Sequence, residues 1–127
     1  EDAFAALEAF LLARLREGWR QVASMRHFYE MLRLVNERHR DLLLAYERRV
    51  IAAIERILRR GVQQGRFSLE DPARAAYDIH QATLRYNTPI ALKRNKLEQL
   101  EEDLKSFLRL LDRGLAPRDP KGEEEKR

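Results

Sequence analysis

Residues 42–72, LLLAYERRVIAAIERILRRGVQQGRFSLEDP, decide the fold. Leu43, Tyr46, Val50, Ile54, Ile57 and Gly61 recur every three or four residues with charged residues between them, the mark of a helix with one apolar face. Gly65 follows where a left-handed C-terminal cap is needed, and Gly61 suits close approach by another helix. Asp71 and Pro72 then read as an N-cap with proline at the first helical position, where a missing N–H costs nothing. One long helix, a short loop and a fresh helix start are therefore written into a single stretch, without any alternating β pattern.

The same period extends in both directions. Upstream, Phe4, Leu7, Leu11, Leu15, Trp19 and Val22 predict a first helix, with Gly18 as a point where it could bend. Ser24 is the expected N-cap of a short second helix bearing Phe28, Met31, Leu32 and Val35, and the polar run Asn36–Asp41 is an expected break that Asp41 ends as a cap. Downstream, Ala76, Ile79, Thr83 and Tyr86 mark a fourth helix ending near Thr88, because Pro89 disfavours helix in the residue before it. A short helical turn bridges to Asn95, which with Glu98 resembles a capping box opening a last helix that Gly114 ends. The expectation is an all-α bundle of about five helices over residues 1–116, followed by a charged tail over 117–127 with Glu123, Glu124 and Glu125 in a row.

Composition excludes more than it assigns. The 127 residues carry 25 Lys and Arg against 21 Asp and Glu, a mixed surface short of the basicity of a dedicated nucleic-acid binder. Arg49, Arg56 and Arg60, with Arg48 and Arg59 nearby, form a stripe that could grip phosphates, but Glu47 and Glu55 interleave with it as on a solvated face. With no cysteine, three histidines and no serine in a nucleophile setting, the chain is not read as an enzyme. His27 and Glu30 reverse the order of a di-iron ligand pair, so neither metal nor cofactor is expected. No apolar run approaches a membrane span and no secretion signal is seen, so a soluble cytoplasmic protein without membrane contact is expected.

The order Gly61, Gly65, Arg66, Phe67, then Asp71 and Pro72, then Ala75, Ala76 and Ile79, resembles the C-terminal domain of TetR-family transcriptional regulators. Arg85, Tyr86 and Pro89 resemble that family's aromatic-to-proline helix ending, although Asn87 and Thr88 stand where many relatives carry histidine. Leu97, Leu100, Leu104, Leu108, Leu111, Gly114 and Leu115 resemble its last helix.

The resemblance implies a dimerising domain that senses a small-molecule effector, with DNA read only by an N-terminal helix-turn-helix that this sequence does not include. Effector binding would favour one of two bundle arrangements and so change the separation of the two DNA-binding heads. It implies a homodimer whose last two long helices form a four-helix bundle, with Ile79, Thr83, Leu100, Leu104, Phe107, Leu108 and Leu111 at the interface. Phe107, Leu108, Leu110 and Leu111 nearly wrap the last helix, an apolar surplus that points the same way.

An effector pocket is expected between the first, third and fourth helices. Trp19, Tyr46, His80 and Tyr86 are its candidate polar-tipped groups, and Phe28, Met31 and Leu32 an apolar wall. The alternative is a helical adaptor that binds another protein through the Leu-rich last helix and holds no ligand.

Overall fold

A computed structural model describes residues 2–118 as six α-helices and one 3-10 turn, with no strand among the described residues. They are α1 (Ala3–Ala23), α2 (Phe28–Arg38), α3 (Arg40–Gln63), α4 (Pro72–Ala82), α5 (Pro89–Arg94) and α6 (Leu97–Leu115), with the turn at Leu84–Tyr86 between α4 and α5. The charged tail expected over 117–127 lies outside the described residues from position 119 onward.

Helix α1 is the centre of the bundle, packing against α3, α5 and α6, while α4 lies on α3. Asp2 caps it by accepting the Ala5 N–H at 2.9 Å, and Ala3, Leu7, Leu11, Leu15 and Val22 form its buried stripe. The helix runs unbroken through Gly18. A Cβ there would lie 3.1 Å from Leu92 Cδ1, so the glycine admits α5 rather than bending α1.

The loop between α3 and α4 is the most tightly determined part of the chain. Gly65 takes φ +72°, and its N–H and that of Arg66 return to the carbonyls of Val62 and Gly61, the paired bonds of a Schellman ending. Gly61 is required by an aromatic ring and not by a helix: an added Cβ would stand 2.1 Å from Cδ2 of the buried Phe67. The Arg66 guanidinium lies over the rings of Phe4 and Phe67 and pairs with Asp2 at 3.0 Å and Asp112 at 2.7 Å. Desolvation works against its charge, but Asp112 and Asp2 outweigh it and raise its pKa above the ordinary arginine value. Ser68 N–H then donates to Leu115 O at 2.8 Å. One loop thus joins the start of α1, the end of α3 and the end of α6.

Several expected boundaries move, each for a local reason. Ser24 does not open α2; it closes α1, its hydroxyl donating back to the carbonyls of Arg20 and Gln21, and His27 precedes α2 instead. The break before α3 contracts to His39, which puts Asp41 inside the first turn. Helix α4 stops at Ala82, short of Thr88, because Thr83 Oγ1 turns back to Ile79 O at 2.7 Å and Asn87 Nδ2 donates to Thr83 O. Thr88 is extended before Pro89, which occupies the first turn of α5.

At the last helix start, Asn95 spends its amide on Ala91 O at 2.7 Å, so no capping box forms and Lys96 is the N-cap. Gly114 stays helical, and α6 ends one residue later.

Five of the seven expected dimer residues fall inside the protomer. Leu100, Leu104 and Leu108 are fully buried, and Ile79 and Thr83 nearly so; Phe107 and Leu111 are half-buried. The stripe every three to four residues on α6 belongs to this chain's own core, where α6 packs on α1. What α4 and α6 leave exposed is instead Tyr77, at 42%, and Leu110, at 68%.

Candidate functional site

The amino-terminal half of α3 does not complete its packing. Leu43, Leu44 and Tyr46 remain 40–50% exposed, although they belong to the apolar face that farther along buries Val50, Ile54 and Leu58. The exposure comes from an open groove between α1, α3 and the stretch from the end of α4 to α5. Its first section, about 550 Å³, is lined by Leu43, Leu44, Tyr46 and Glu47 of α3, His80 of α4, and Leu84, Asn87 and Pro89 beyond it, with Arg14, Asn36 and Arg40 at its sides. A second section of about 670 Å³ continues along α1 past Phe10, Gly18 and Val22 to Leu92. A smaller one of about 390 Å³ opens toward Val50 and Ala53. Arg14 and Tyr46 line all three sections.

Three polar groups characterise this groove. His80 is buried to 2% exposure, its Nε2 lies 3.1 Å from Glu47 Oε1, and its Nδ1 has no hydrogen-bond partner among the described residues. Arg14 places its guanidinium 5.7 Å from the Tyr46 ring centre, a cation–π distance, and its Nε and Nη1 are buried without a hydrogen bond. Asn87 directs its amide into the backbone at Thr83 O, fixing the 3-10 corner above the groove. The lining therefore combines an apolar floor with two polar groups, His80 and Arg14, whose bonding is incomplete.

Of the seven candidate ligand residues, Tyr46 and His80 come together on this groove. The other five lie elsewhere. The Trp19 indole N–H donates to Asn95 O at 3.1 Å, pinning α1 to the junction of α5 and α6. Phe28 is buried in the core beneath Lys93, Leu32 packs on that core, and Met31 is 47% exposed. Tyr86 is also buried; desolvation, helped by the charge of Asp103 and opposed by that of Arg85, raises its phenol pKa above the ordinary value.

Residues missed by the pattern include Arg14, Leu43, Leu44, Glu47 and Asn87. Arg14 had a signal: it stands seven residues after Leu7 and three after Leu11, a charge at the edge of the apolar stripe.

Among the described residues no helix is long and apolar enough to cross a membrane, and no group of three or more His, Asp or Glu could hold a metal ion. His27 and Glu30 form only an exposed contact of 3.8 Å.

The family described as tetracyclin repressor-like, C-terminal domain, matches residues 3–107, and the chain belongs to it. Neither a curated protein nor a solved structure matches the chain.

Proposed function

We propose that this domain senses a small amphipathic effector in the groove between α1, α3 and α4 and transmits its presence to DNA binding by a helix-turn-helix unit. The observation that carries this reading is the incomplete polar lining: His80 Nδ1 and two nitrogens of Arg14 are buried without partners around a floor of exposed Leu43, Leu44 and Tyr46. Buried polar groups without partners are costly, and a ligand that meets them recovers the cost on binding. Regulation follows if the effector favours one arrangement of α1 against α3 and α4, since only differential affinity for two states shifts their populations. Catalysis has no place in this reading, and a homodimer does.

The test is a thermal-shift screen of small amphipathic compounds on the 127-residue chain. A ligand that binds the folded state raises the melting temperature by mass action. The expected hits lose their shift in both His80→Ala and Tyr46→Ala while those variants keep the wild-type oligomeric mass. A screen in which no compound raises the melting temperature would favour an adaptor instead. Its docking face would be that of the last helix, where Leu110 is 68% exposed.

A further inference from the structure

Arg14 lies on α1 between the core residues Leu11 and Leu15, where its side chain leaves the packed face and enters the groove. Yet among the described residues no carboxylate pairs with it: Glu47, which lines the same section, meets His80, and Glu17, which lines the next, meets Arg20. Its guanidinium lies against the Tyr46 ring, which attracts a cation but satisfies no N–H. Arg40 adds a second positive charge to the lining.

Resting on the effector reading above, we propose that the groove takes an amphipathic carboxylate, its head group bound by the Arg14 guanidinium and its apolar body laid along Leu43, Leu44 and Tyr46. A carboxylate suits this site on two counts. It supplies the acceptor oxygens that Arg14 Nε and Nη1 lack, and charge-assisted bonds of this kind are the stronger class of hydrogen bond. Its hydrocarbon covers leucines that water otherwise reaches. An uncharged ligand of the same length meets only the second need, and an amine meets repulsion from Arg14 and Arg40.

The experiment is calorimetric titration of the 127-residue chain with decanoate, decanol and decylamine, on wild type, Arg14→Met and Arg14→Lys. Methionine retains the apolar stem, so packing is largely preserved while the charge is removed. Decanoate binds wild type about tenfold to a hundredfold more tightly than decanol, as expected for hydrogen bonds to a charged group. Arg14→Met loses that preference but still binds decanol, and Arg14→Lys retains part of it. Without ligand, Arg14→Met melts at or above the wild-type temperature, because two buried nitrogens that lack hydrogen bonds have been removed.

Equal binding of all three probes overturns the carboxylate assignment and leaves an effector groove standing. So does a decanoate preference that survives in Arg14→Met. Failure of all three to bind also overturns it, and the wider thermal-shift screen then decides the effector reading separately. If Arg14→Met melts well below wild type with its decanoate affinity unchanged, Arg14 is a packing residue and the assignment falls.

Discussion

An alanine at position 61 would press its methyl group into a phenyl ring that is itself buried, since Cδ2 and Cε2 of Phe67 would stand 2.1 and 2.5 Å away. Gly61→Ala is therefore expected to destabilise the chain by about 1–3 kcal/mol, the usual cost of overpacking a filled interior. Urea unfolding checks it, and Phe67→Leu should relieve part of the loss because a smaller side chain vacates the contact. The glycine was legible in the sequence, but its purpose was not: spacing places it on the inner face of α3, and only the folded loop shows that the neighbour is Phe67. Arg14 has the opposite history. Its position at the border of the α1 stripe was visible, yet an arginine there more often extends to solvent, and its burial depends on how α3 passes over it.

At the level of elements, helix existence followed from periodicity and helix ends from local hydrogen bonding. The α4 start was read correctly because Asp71 and Pro72 act within their own turn, and Asp71 Oδ1 accepts the Arg74 N–H at 3.1 Å. Asp71→Ala is expected to cost about 1 kcal/mol of stability, the typical value of an N-cap, measured as a lower midpoint in urea with an unchanged slope. Ser24 and Asn95 were misassigned for one shared reason: each polar side chain can satisfy either the helix that follows or the turn that precedes. Ser24 and Asn95 bond backward, to Arg20 and Gln21 and to Ala91, and the sequence holds no term that ranks the two choices. Thr83 ends α4 by the same kind of competition, which is why the residues before Pro89 form a corner and not a final helical turn.

The whole bundle shows where a one-dimensional reading stops. An apolar stripe on α6 fits two partners equally, this chain's α1 or a second copy, and Leu100, Leu104 and Leu108 take the first. A two-fold contact through α4 and α6 would use the outward residues Tyr77 and Leu110 together with the half-buried Phe107 and Leu111. The proposed homodimer then makes a specific forecast. Light scattering over a dilution series should show twice the chain mass for wild type, and a shift toward monomer in Tyr77→Glu or Leu110→Glu with melting little changed. Leu104→Ala, by contrast, should lose about 2–5 kcal/mol of stability as a core deletion whatever the oligomeric state.

The clasp between Trp19 and Asn95 has a practical consequence. The chain holds one tryptophan, so all of its indole emission comes from the seam where α1 meets the junction of α5 and α6. Gly18, its neighbour, faces Leu92 on the wall of the groove. A guest that pushes α5 away from α1 lengthens the indole–carbonyl bond and admits water to the ring. The protein thus carries its own fluorophore at the joint an effector would move, and a red shift on titration would report that movement without any label.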